Sequence, residues 1–196
     1  MRRETLRDTA VSSGAGQALA ASSADTDREV GRVVAKRYVL EAYLGESRYG
    51  RVYSALDRDM SEPDLRLEYH VGLHLLDGDI RGQTQFLRKL ETGWRQPQLW
   101  SHPNIVKILG FGADRGSYYL ATELLEGSSL RALLDRVRPN LLSRSAAFAL
   151  LRSVGDALSY AHAHGVVHGD VRPEKIFVTT DGTVKVLDLL PASAAR

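Results

Sequence analysis

His168-Gly169-Asp170-Val171-Arg172-Pro173-Glu174-Lys175, then Ile176-Phe177-Val178, then an Asp181-Gly182 turn and Val184-Lys185-Val186-Leu187-Asp188, is the stretch that decides how this chain is read. The two short apolar runs have the length and β-branched content of strands, and Asp-Gly between them is a strong hairpin signal. Two carboxylates, Asp170 and Asp188, are thereby placed on short loops behind a helix.

That helix comes next, working outward. Ser143 can cap a long helix running to about His164, and Ala147, Leu150, Leu151, Val154, Leu158 and Ala161 form an apolar stripe along it that needs covering. Ser128-Ser129 can cap a shorter helix through Val137. Val166-Val167 is a candidate strand piece. His162 and His164 fall at a helix end, where cations suit the macrodipole, and with His168 they complete no metal-ligand set.

Before Gly127 the pattern has the period of strands: Val33-Val34, Tyr38 to Leu44, Arg51 to Leu56, Leu65 to Leu76, Ile105 to Phe111 and Ser117 to Thr122. One short helix is expected from Asp79, with Ile80, Phe86, Leu87 and Leu90 at helical spacing. Between two of the strands lies Gly45-Glu46-Ser47-Arg48-Tyr49-Gly50-Arg51-Val52. Glycines there let backbone amides approach a phosphate, although glycine is equally the default residue of a plain hairpin turn.

Composition narrows the class. The 196 residues are 43% hydrophobic, enough for a core, and 26 Lys and Arg against 24 Asp and Glu give +2, too near balance to require nucleic acid or an anionic membrane. The absence of cysteine excludes a disulfide framework and thiolate chemistry. No apolar stretch approaches the roughly 20 residues of a membrane span. A cytoplasmic protein with neither nucleic acid nor membrane as partner is expected. Residues 1–31, rich in Ala, Ser and Gly, are expected to be a flexible tail.

Taken in order, these segments resemble the eukaryotic-like protein kinases, the bacterial serine/threonine type in particular. The resemblance runs from about Arg32 to Leu190 and rests on the glycine loop, Val71-Gly72-Leu73-His74, His102-Pro103-Asn104-Ile105-Val106, Tyr119 to Glu123 with Glu126 to Leu130, the His168-Gly169-Asp170 loop and Asp188. His-Gly-Asp is also how the aminoglycoside and choline phosphotransferases write that loop, but the other segments look like protein kinases. The resemblance implies an α+β, protein kinase-like fold: a β-rich N-terminal lobe over residues 32–123, a hinge at 124–127, and the first part of a helical C-lobe over 128–196.

The resemblance also implies roles. Gly45 and Gly50 would approach the phosphates of ATP; Val52 and Gly72 would roof an adenine pocket and Phe177 would floor it, with Val52 and Phe177 equally readable as ordinary core. Thr122 would be the gatekeeper, and the backbone of Glu123 and Leu125 would face the adenine edge. Asp170 would accept the proton of a substrate hydroxyl, Arg172 would contact the γ-phosphate, and Asp188 would hold magnesium at a single site.

Five departures weaken that machinery. Ser47 replaces the middle glycine. His74 stands where the family has the lysine that holds the α- and β-phosphates. The glutamate that pairs with this lysine is replaced by Lys89; Glu91, two residues on, lies about 200° around the helix unless the register is shifted. Lys175 replaces the asparagine that binds the second magnesium, where an ammonium would repel metal, and Leu190 replaces the glycine after the magnesium-binding aspartate. The expectation is weak ATP binding with little magnesium dependence in an inactive or weakly active pseudokinase; an active kinase with a relocated lysine is the alternative. Because eight residues follow Asp188, the helix Ala147 to Ala161 is expected to be left uncovered and to bind a protein partner or a second copy.

Overall fold

The computed structural model describes residues 29–47, 49–61, 67–76, 87–88, 101–138 and 142–189. Nearly all of the expected tail, most of the helix expected from Asp79, and Lys89, Glu91, Gly93 to Trp100 and Leu190 lie outside them; Leu87 and Arg88 are helical. The architecture is α+β.

Nine strands and two α-helices are defined among the described residues. The strands β1 (Val33–Val34), β2 (Tyr38–Ser47), β3 (Gly50–Asp57), β4 (His70–Leu76), β5 (Ile108–Asp114) and β6 (Ser117–Glu123) form one antiparallel sheet in the order β1-β2-β3-β4-β6-β5. Of the strand expected from Leu65 to Leu76, Leu65 and Arg66 lie outside the described residues, and β4 covers His70–Leu76. A second sheet joins β7 (Gly127–Ser129), β8 (Ile176–Thr179) and β9 (Val184–Val186). Gly127 to Ser129, read from the sequence as connection and cap, is a strand because its groups pair with Thr179, Val178 and Phe177. Val166 makes an isolated bridge and Val167 none, so the strand expected there does not form.

Side chains alternate across a strand, so each strand of the first sheet feeds two different interiors. Tyr53, Ala55, Val71, Leu73, Leu75 and Ala121 bury one face with Val34, Tyr38 and Leu40. The opposite face carries Val52, Gly72, His74, Leu76, Leu120 and Thr122, brought side by side by the pairings Val52↔His74, His74↔Leu120 and Gly72↔Thr122. Arg37 closes the base of the β2–β3 pair through two hydrogen bonds of 2.7 Å to the buried Asp57 carboxylate. That fork match is strong because both donors and both oxygens are used.

Both helices begin where serine was expected to cap them. Ser129 Oγ accepts from Ala132 N at 3.2 Å ahead of α1 (Leu130–Val137), and Ser143 Oγ from Ala146 N at 3.1 Å ahead of α2 (Arg144–Ala163). A cap of this kind contributes about 1 kcal/mol. Val154, Ala157 and Ala161 of α2 are buried with Ile105, Val166, Ile176, Val184, Val186 and Leu189, and Leu150 and Leu158 pack against them. Most of the apolar stripe is therefore covered by the second sheet. What stays out is Leu151 at 66% exposure, with Phe148 at 71%.

Candidate functional site

The hairpin β8–β9 delivers the site. Asp181 closes its turn, accepting from Thr183 N at 3.1 Å, Thr183 Oγ1 at 3.2 Å and the Thr179 hydroxyl, and these bonds hold its carboxyl below the usual range. At the open end, Leu187 N donates to Lys175 O at 2.8 Å, tying the loop before β8 to the loop after β9. His168, 2% exposed, fastens the same two loops: Asp170 N donates to its Nδ1 at 3.2 Å, so its Nε2–H is free to donate to Leu187 O at 2.9 Å. This pairing assigns the neutral Nε2–H tautomer. Composition could not separate His168 from His162 and His164; burial does, since the other two are exposed on the last turn of α2 and just beyond it.

Asp188 then leaves the hairpin with φ +56°, a left-handed conformation that costs an L-residue about 1 kcal/mol and that Asp tolerates better than most. Its neighbours hold it there. Leu189 is 3% exposed in the second core, and Lys175 Nζ lies 2.5 Å from Asp188 Oδ2, with the two side chains 9% and 4% exposed. The contact is an ion pair and lacks the angles of a hydrogen bond. Lys175 reaches Asp188 because the 3-10 turn Pro173–Lys175 leads directly into β8, and Ile176 is paired with Val186.

The first sheet supplies the opposite wall. His74 is surrounded by hydroxyls, with Nδ1 3.4 Å from Ser47 Oγ and Nε2 3.5 Å from Thr122 Oγ1. Burial pulls its imidazole down to about 4, opposed by the attraction of Asp188 and reinforced by repulsion from Lys175. It is neutral at pH 7. Thr122 Oγ1 donates to Gly72 O at 3.2 Å and lies where a Cβ on residue 72 would be, only 2.9 Å from that point. Two departures noted independently in the sequence, Ser47 and His74, are thus neighbours.

The glycine loop is shut. Gly45↔Val52, Glu46↔Arg51 and Ser47↔Gly50 pair to the end of the hairpin, and Ser47 Oγ donates to Gly50 O and accepts from Tyr49 N, both at 3.1 Å. Tyr49, which the sequence reading passed over, is 5% exposed beside Leu76, Leu87 and Leu120, and its hydroxyl donates to Asp188 O at 3.3 Å. A lone tyrosine in a hairpin carries no periodic signal, so only tertiary contact finds it.

The remaining candidates are less enclosed. Asp170 and Arg172 form a half-exposed pair, Nε to Oδ2 3.4 Å. Glu123 uses its side chain to accept from Lys107 N at 2.8 Å and from Lys185 Nζ at 2.6 Å, fixing the strand end before Leu125. Phe177 and Leu125 are partly buried, and the Phe177 ring lies against Gly127, where a Cβ would meet it at 3.0 Å. Magnesium does not fit Asp188 as it stands, because the carboxylate already faces an ammonium ion.

The protein kinase domain family matches residues 81–194, and the chain belongs to that family. It is 34% identical to the serine/threonine-protein kinase pkn3 of Myxococcus xanthus over 84% of this chain and 29% of that protein. To the serine/threonine-protein kinase PknL of Mycobacterium tuberculosis it is 34% identical over 78% of this chain and 36% of that protein. The kinase domain of Mycobacterium tuberculosis PknI superposes with a TM-score of 0.69 at 23% identity, over 85% of this chain and 64% of that one. The fold is that of the protein kinases. The chain spans about a third of the length of the curated relatives it matches. Among the described residues no helix is long and apolar enough to cross a membrane.

Proposed function

We propose that this chain is a protein kinase homologue that binds an adenine nucleotide weakly in the cleft between the two sheets, transfers phosphate poorly or not at all, and acts by binding. The observation that carries this reading is the Lys175–Asp188 ion pair. Phosphoryl transfer needs a metal that bridges phosphate oxygens and a cation that positions the chain, and these act together. Here the carboxylate expected to hold metal is engaged by an ammonium, and the position expected to hold the phosphate-positioning cation is the neutral His74. In the expected adenine region, Val52, Gly72 and Thr122 share one face of the sheet.

The test is transfer of radiolabelled phosphate from ATP to the chain itself and to generic protein substrates. No transfer above background is expected, and robust transfer abolished by Asp170→Ala would overturn the reading. A second reading has an observation in its favour: Lys175 is buried at the cleft and could serve in place of the strand lysine. It requires transfer that Lys175→Met removes. For the binding role, the α2 face bearing Phe148 and Leu151 is the proposed protein-binding or self-association surface. Sedimentation of Phe148→Glu against the parent checks it, with an unchanged mass and no lost partner counting against that surface.

A further inference from the structure

Tyr49 links the sheet face expected to roof an adenine to the loop that carries Asp188. Its ring sits on the face of the first sheet that also carries Val52, Gly72, His74 and Thr122, packed with Leu76, Leu87 and Leu120, and its hydroxyl reaches the Asp188 carbonyl at 3.3 Å. The ring is held by more than its own packing. Ser47 Oγ spans the turn from Gly50 O to Tyr49 N and touches His74, so the loop is pinned closed with the tyrosine directed inward.

Charge points the same way. Of the cations that the described residues place around the cleft, Lys175 faces Asp188 at 2.5 Å, Arg172 faces Asp170 at 3.4 Å, and Lys185 faces Glu123 at 2.6 Å, while the His74 ring is neutral. A triphosphate would have to give up its hydration against groups that are already paired, a cost that an uncharged ligand does not meet. The adenine wall formed by Val52, Gly72 and Thr122 carries no such penalty.

We propose that this cleft selects the uncharged nucleoside end of an adenine ligand over its triphosphate, and that Tyr49 is the residue that enforces the choice. The inference rests on the adenine-site reading above and adds which ligand class the site takes. Adenosine enters with Tyr49 seated; ATP enters only when the tyrosine is displaced.

Calorimetric titration of the full chain with adenosine, ADP and ATP in EDTA tests this, comparing the parent with Tyr49→Ala. The parent should bind adenosine at least as tightly as ATP, and Tyr49→Ala should shift the ATP-to-adenosine affinity ratio toward ATP by about tenfold or more. Tyr49→Leu, which keeps an apolar contact with Leu76 and Leu120, replaces Tyr49→Ala if thermal melting shows that the alanine variant does not fold, and should shift the ratio in the same direction. A parent that prefers ATP tenfold, or a ratio unmoved by either substitution, overturns the selectivity and leaves the adenine site standing. Failure of all three ligands to bind parent and variant overturns the adenine site and this inference with it.

Discussion

Lys175 and Asp188 face each other across 2.5 Å in a setting where both are more than nine-tenths buried, joining the loop that enters β8 to the loop that leaves β9. A buried pair of this kind is dangerous to break from one side, since the surviving charge is left without water or partner. Lys175→Met should therefore destabilise the chain by about 3 kcal/mol, read by urea denaturation. The double variant Lys175→Met with Asp188→Asn should recover most of that loss. Equal stability of the single and double variants would show that the pair contributes nothing through its charge.

The same substitution has a ligand consequence. With the ammonium gone, the Asp188 carboxylate becomes available to a hard cation, which oxygen ligands suit. Magnesium should raise the melting temperature of Lys175→Met and leave that of the parent unchanged. Stabilisation of the parent by magnesium would mean that Lys175 yields its place readily.

His74 makes stability depend on pH with a definite sign. Its folded pKa of about 4 lies below the ordinary 6.5, so above 6.5 neither folded nor unfolded chain carries its proton and no penalty exists. Between 6.5 and 4 the unfolded chain gains the proton first, and stability falls as pH drops, by up to about 3 kcal/mol from this residue. His74→Gln should flatten the profile over that window. An identical slope in both proteins would assign the acid sensitivity elsewhere.

Gly72 and Thr122 are matched in shape. A Cβ at residue 72 would come 2.9 Å from Thr122 Oγ1, so Gly72→Ala must turn the threonine away from Gly72 O. A loss of about 1–2 kcal/mol is expected. Thr122→Ala in the Gly72→Ala background should cost less than Thr122→Ala alone, and additive losses in a double-mutant cycle would show that the contact is not made.

His168 holds two loops with one ring. His168→Phe removes both bonds and leaves Asp170 N and Leu187 O unpaired beside a buried ring, for a loss of about 2–4 kcal/mol. Hydrogen exchange should quicken at Asp170 in the variant; unchanged protection there would place the bond outside the role given to it.

Much of the fold was legible because local chemistry repeats. The serines that cap α1 and α2, the Asp181-Gly182 turn and the alternation in β3, β4 and β6 each act within a few residues. The stripe on α2 was legible as apolar, but its cover was not: it packs on β9 and Ile105, elements distant in sequence, and only Leu151 with Phe148 stays exposed. Val166-Val167 has strand composition without a strand partner for Val167, and Gly127 to Ser129 has turn composition with one, because pairing is decided by what lies alongside.

The sequence by itself determined the family of shapes this chain adopts and the chemical identity of what fills the cleft: a histidine for a lysine, a serine for a glycine, a lysine for an asparagine. Only the tertiary structure decided that these departures meet. Ser47 touches His74, Lys175 engages Asp188, and Tyr49 turns inward onto the Asp188 carbonyl. Each contact joins residues 13 to 139 positions apart, where no periodicity extends; chain closure and the exclusion of water from the space between the two sheets bring them together.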